Sequence, residues 1–142
     1  MTSHFPDPSV PPETPIRAPS AIPVDDAVLR TWFAEPQGWM QDRIEKHASL
    51  RDDLLSVFST VSGLRVRTPQ AGSYLFPRLP KLSVPLHDFV RALRIQAGVT
   101  VTPGTEFSPD ATDSIRLNFS QNHVAAVAAV ERIAAMVERY RA

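Results

Sequence analysis

The sequence predicts an α+β fold in which helices cover a small, partly antiparallel sheet, and three observations carry that expectation. Short segments alternate apolar and polar residues at the strand period of two, as in Ile115-Arg116-Leu117-Asn118-Phe119. Longer segments repeat their apolar residues at the helical period of 3.6. Both kinds lie within residues 25–142, whereas residues 1–24 hold seven of the fourteen prolines and no apolar periodicity. The expected organisation is therefore a disordered proline-rich tail, 1–24, followed by one domain, 25–142.

From Asp26 a first helix is expected, with Val28, Leu29, Trp32 and Phe33 on one face. Pro36-Gln37-Gly38 interrupts it. A longer helix follows, with Met40, Ile44, His47, Leu50, Leu54, Phe58 and Val61 in register and Gly63 placed to cap its end. Leu64-Arg65-Val66-Arg67 alternates as a strand, residues 68–72 turn, and Ser73-Tyr74-Leu75-Phe76 forms a strand closed by Pro77. A helix then begins near Ser83 with Pro85 in its first turn, carries Leu86, Phe89, Val90 and Leu93 inward, and stops at Gly98.

Val99-Thr100-Val101 reads as a strand of β-branched residues and Pro103-Gly104 as a turn. In the strand 115–119, Ile115, Leu117 and Phe119 face the core, and Arg116 and Asn118 face away. Ser120 is the expected N-cap of a last helix bearing Ala126, Val130, Ile133, Val137 and Tyr140 inward, with Arg139 and Arg141 at its negative end. From the longer helix onward the expected order is helix, strand, strand, helix, strand, strand, helix, a sheet covered by helices.

Composition narrows the function classes. Fifteen basic and fifteen acidic residues cancel, and no block of one sign favours a nucleic-acid or membrane surface. Cysteine is absent, which excludes disulfides and cysteine-based metal or nucleophile chemistry. No apolar run reaches membrane-spanning length, and no secretory signal pattern opens the chain, so a soluble cytoplasmic protein is the expectation. His47 and His123 have no nucleophile or ligand partner in the pattern and read as a structural and a surface residue.

Arg116 is the side chain that points to chemistry. A strand arginine turned away from the core is ordinarily solvated or ion-paired. Beside a long irregular loop it also suits capture of a small anion, because the planar guanidinium grips a carboxylate through two parallel hydrogen bonds. Tyr74, in the expected strand 73–76, reads from the residues as a strand tyrosine packing on a helix.

Gly98-Val99-x-Val101-x-Pro103-Gly104-x-x-Phe107, followed by Ile115-Arg116-Leu117-x-Phe119-Ser120, resembles the C-terminal small domain of class I/II, fold type I, pyridoxal-phosphate-dependent aminotransferases. Two further stretches agree. Pro69-x-x-Gly72-x-Tyr74-Leu75 is similar to the family's turn before a substrate-proximal aromatic residue. Trp39 with Ile44, His47, Arg51 and Asp52 is similar to the helix that links its large and small domains. The resemblance covers about the last three-quarters of the chain. It implies that Arg116 binds the α-carboxylate of an amino acid or 2-oxo acid, with Tyr74 and Asn118 beside it.

The family also needs a lysine bonded to pyridoxal 5'-phosphate and a cradle for its phosphate. The chain has only Lys46 and Lys81, neither in the serine-rich context of that lysine, and no glycine-rich entry to a helix. No catalytic or cofactor-binding residue is therefore expected here. Three readings follow: a substrate-binding C-terminal domain without its cofactor domain and inactive alone, a subunit completing a transaminase site in trans with a large-domain chain, or a non-enzymatic module for a metabolite or protein, with homo-oligomers open in each. The related pyridoxal-phosphate-dependent transcription regulators fit less well, since Gly72-Ser73-Tyr74 replaces their usual Gly-Leu-His.

Overall fold

The structure is a computed structural model that describes residues 25–35 and 38–142. The tail expected to be disordered and the Pro36-Gln37 interruption lie outside the described residues, as does the side chain of Trp39. The chain divides into two units, Met1–Pro36 and Gln37–Ala142.

In the first unit, α1 spans Asp26–Ala34. Asp25 caps it by accepting a 3.0 Å hydrogen bond from the Ala27 N–H, which satisfies one of the orphan donors of the first turn. Its apolar residues share a face as the periodicity predicts, but none is buried: Trp32 and Phe33 are 76% and 83% exposed.

The second unit is an α+β layer structure. Its elements are α2 (Gly38–Ser59), β1 (Tyr74–Leu75), α3 (Leu86–Gln96), β2 (Thr102–Pro103), a 3-10 turn (Gly104–Glu106), β3 (Ile115–Asn118) and α4 (His123–Arg139). β3 is central in the sheet order β1-β3-β2, and both pairings are antiparallel. Tyr74 lies opposite Asn118 and Leu75 opposite Leu117; on the other side Thr102 meets Arg116 and Pro103 meets Ile115.

Alternation along β3 puts Ile115, Leu117 and Phe119 into the core and leaves Arg116 half-buried and Asn118 exposed on the opposite face. The core is completed by Leu50, Leu54, Phe58 and Val61 from α2 and the loop after it, Phe89 and Leu93 from α3, and Ala126, Val130, Ile133 and Val137 from α4. Each fully buried side chain of this size stabilises the fold by roughly 1.5–3 kcal/mol, which fixes β3 as a rigid platform.

Several boundaries differ from the sequence expectation, each for a local reason. The expected strand at Val99–Val101 is not laddered, and pairing starts at Thr102. The Val99 N–H is spent on the Leu93 carbonyl, 3.2 Å away, which closes α3 around Gly98 at φ 65°. Val99 and Val101 are both buried, so their β-branched pattern reports burial rather than a ladder. Leu64–Arg67 contributes only the bridge Arg65–Arg78. The run through Ser73–Phe76 pairs regularly only at Tyr74–Leu75, because Pro77 has no N–H to continue the ladder.

Gly63 has φ 75° but follows Ser59, the last residue of α2, by a stretch of tight turns rather than capping it directly. Pro85 is the N-cap of α3 instead of a first-turn residue. Asn122, not Ser120, caps α4 by accepting from Ala125 N at 3.2 Å. The Ser120 N–H is held at 2.7 Å by Asn118 Oδ1, a local turn that delays the helix by two residues.

Candidate carboxylate-binding site

The outward face of the sheet gathers Arg116 and Asn118 from β3, Tyr74 from β1, and Phe76 two residues further on. Phe107 joins them from the loop after β2. Gly104 makes that loop possible: its N–H donates to the Ser114 carbonyl at 2.7 Å, pulling the loop back against the start of β3. Phe107 N in turn donates to the Gly104 carbonyl at 2.9 Å, so the 3-10 turn sets where the ring projects.

The result is a guanidinium in contact with two rings. Arg116 Cζ lies 4.7 Å from the Tyr74 ring centroid and 4.3 Å from that of Phe107. Both distances fall within the range at which an aromatic face attracts a cation. Phe76 supports Phe107 edge-on, with centroids 6.0 Å apart and planes at 75°. Among the described residues, Arg116 has no salt-bridge partner. A guanidinium without a carboxylate partner keeps N–H groups that can match a carboxylate bidentately.

The three residues anticipated for this site are thus on one sheet face. Tyr74 stacks on Arg116, and its ring is 47% exposed, so it packs on a cation rather than on a helix. Asn118 is less free than expected, since its Oδ1 is committed to Ser120 N. Phe76 was not singled out by sequence reasoning as a site residue, and Phe107 was reached only as part of the irregular loop beside Arg116. The signal for Phe76 was present in its i, i+2 spacing from Tyr74, which sends both rings to one face. Phe107 is brought in by loop geometry, which no periodicity encodes.

The other candidates have structural occupations. His47 Nδ1 lies 3.0 Å from the Arg43 carbonyl and Nε2 3.3 Å from Ser120 Oγ, so both ring nitrogens are engaged where α2 meets the end of β3. His123 Nε2 lies 2.7 Å from Asp53 Oδ2, tying the start of α4 to α2. No cluster of metal-ligating side chains occurs among the described residues. Lys46 and Lys81 are both exposed, and neither lines the groove between α2 and the 69–73 turn, the one bordered by Arg65, Tyr74 and Arg78, or the one beside Val99 and α4.

Comparison with known proteins gives concordant findings. Residues 21–133 match the family model described as aminotransferase class I and II. An aspartate aminotransferase of Musicola paradisiaca (strain Ech703) is 30% identical over 104 residues, a match that covers 72% of this chain and 26% of that protein. Among solved structures, an aspartate aminotransferase from Rhodobacter sphaeroides 2.4.1 superposes with a TM-score of 0.78 at 66% identity, covering 82% of this chain and 29% of the other. An aspartate aminotransferase from Rhizobium meliloti superposes at 0.69 with 26% identity, covering 80% of this chain and 30% of the other. The chain spans under a third of the length of each of these relatives.

Proposed function

This chain belongs to the class I and II aminotransferase family, and from that premise we propose that it is the C-terminal part that binds the substrate carboxylate in an amino-acid aminotransferase. Arg116 is the anchor for the α-carboxylate of an amino acid or its 2-oxo acid. The observation that carries this reading is the Arg116 guanidinium held against two rings and, among the described residues, without a salt-bridge partner. The two ring contacts restrict its motion, so less entropy is lost when an anion binds. Tyr74 and Phe107 also shield the contact from water, which strengthens the charge-assisted hydrogen bonds.

Aminotransferases of this family use pyridoxal phosphate, and the residues present do not fit that group. A bonded cofactor needs a lysine facing a cavity with a phosphate cradle beside it. Lys46 is exposed on α2, and Lys81 is exposed in the loop before α3. These 142 residues are therefore inert in transamination by themselves, and the reactive lysine comes from elsewhere, in the same polypeptide or in a separate subunit.

The direct test is titration of the chain with pyruvate while following the Arg116 Nε–H resonance. A saturable shift is expected there and in the Tyr74 and Phe107 ring resonances, which also report on the variant; affinity should weaken in Arg116→Lys by roughly 1–3 kcal/mol, the range for a charge-assisted hydrogen bond. Lysine keeps the charge but loses the fork. Equal affinity in wild type and variant would remove Arg116 from the site.

A further inference from the structure

A second cluster of arginines borders a groove that Tyr74, the ring in contact with Arg116, also lines. Arg65 and Arg78 are directly opposite one another in an antiparallel bridge: Arg65 N donates to the Arg78 carbonyl at 2.9 Å, and Arg78 N donates to the Arg65 carbonyl at 2.7 Å. Their side chains consequently leave the backbone as neighbours on one face. Arg67 follows two residues later. All three border a groove of about 670 Å³ whose other walls include Tyr74, Phe76 and Ser114.

The charges in this groove do not balance. Arg78 is paired with Asp113 through its Nε. Asp113 is itself held by the Ser114 hydroxyl, which donates to Oδ1 at 3.2 Å, and Ser114 is only 6% exposed. Among the described residues neither Arg65 nor Arg67 has a salt-bridge partner. Three guanidiniums thus stand beside one carboxylate, which is bonded to Arg78 alone, although the chain's fifteen basic and fifteen acidic residues cancel overall. Like charges directly opposite in a strand pair oppose each other, and a bound anion would relieve that repulsion.

The geometry points to a second binding site in this groove, for a small, doubly charged oxyanion: a phosphate group or a pair of carboxylates. The charge excess of two positive groups matches a dianion, and guanidinium forks suit both kinds of oxygen. The groove is of a size for a small molecule. A nucleic-acid footprint would call for an extended basic surface, against this chain's formal net charge of zero. The site does not depend on Arg116 or on the reading of Arg116 as a carboxylate anchor.

The test titrates the 142-residue chain with sodium phosphate and, separately, with disodium succinate. Arginine Nε–H resonances are followed, with sodium chloride at matched ionic strength as the control. Saturable shifts of Arg65, Arg67 and Arg78 are expected with one or both dianions and not with chloride. The affinity should fall at least tenfold in the double variant Arg65→Ala, Arg67→Ala, whose exposed positions leave the core intact. Tighter binding of phosphate or of succinate on the three arginines identifies which dianion the groove takes. Equal responses to chloride, or undiminished affinity in the double variant, would overturn the proposal. Shifts confined to Arg116 would also overturn it, while leaving Arg116 as a carboxylate anchor.

Discussion

Phe107 lies over the guanidinium of Arg116 with 4.3 Å between Cζ and the ring centroid, although the two residues belong to different elements. The contact ties the loop after β2 to the central strand. Replacing Phe107 by leucine keeps most of the apolar bulk and removes the ring quadrupole. The expected loss is roughly 0.5–2 kcal/mol of stability, the range for a cation–π contact. Urea denaturation measures it. A variant as stable as wild type would mean that the ring merely rests beside the arginine.

Gly104 controls where Phe107 sits. A Cβ added at this buried glycine would stand 2.6 Å from the Ala111 carbonyl oxygen and 2.8 Å from that of Ser114. Both obstacles are backbone atoms that cannot swing aside. Gly104 is not among the glycines with positive φ, so the requirement is for space rather than for a left-handed conformation. Gly104→Ala should destabilise the unit by about 1–3 kcal/mol through overpacking. It should also loosen Phe107, which would appear as faster solvent exchange of the Arg116 Nε–H. Loss of stability with unchanged exchange would uncouple the glycine from the arginine.

These two relationships show which parts of the molecule were legible from sequence. The strand bearing Arg116 was, because alternation over Ile115, Leu117 and Phe119 is a burial pattern that the core enforces. The helical stripes of α3 and α4, and of α2 from Leu50 onward, were legible for the same reason, whereas Met40 and Ile44, expected in the same α2 stripe, are exposed. Ladder ends were not. Whether Val99 pairs depends on a hydrogen bond back to Leu93, and whether Ser120 caps α4 depends on the Asn118 side chain. Such competition between a local bond and regular structure leaves no periodic trace. The aromatic contacts of Arg116 needed three separate segments to converge, and only the two on strands could be placed by period. The mutual approach of Arg65 and Arg78 required knowing the register of two short, irregular segments.

The two lysines provide a separate check on the chemistry. With both exposed, pyridoxal phosphate added to the chain should form no stoichiometric Schiff base. Visible absorbance during a cofactor titration follows this, and borohydride trapping with peptide mapping locates any adduct. Sparse labelling spread over Lys46 and Lys81 is the expected result. A one-to-one absorbance change abolished by Lys46→Ala or by Lys81→Ala would show that the chain holds the cofactor after all.

The end of the chain should confer a pH dependence of its own. Arg141 grips Glu138 through two hydrogen bonds, Nε to Oε2 at 2.9 Å and Nη2 to Oε1 at 2.6 Å. Its Nη2 also donates to the Ser62 carbonyl at 2.7 Å, which ties the segment after α4 to the turn after α2. The hydrogen bond from Arg141, reinforced by its charge, outweighs desolvation and holds the Glu138 carboxyl below its ordinary value of 4.5. A depressed carboxylate contributes stability that is fully present above the unfolded value and is lost as the pH falls through the folded one. Arg141 stays protonated throughout, so Glu138 alone sets the window. The melting temperature of wild type should therefore exceed that of Glu138→Gln by its full margin above pH 4.5. The gap should close as the solution is acidified further, because a protonated glutamate and a glutamine then present similar groups to Arg141. Melting curves of both proteins across that acid range decide the matter, and a gap that stays constant with pH would assign the Glu138 contribution to packing instead of charge.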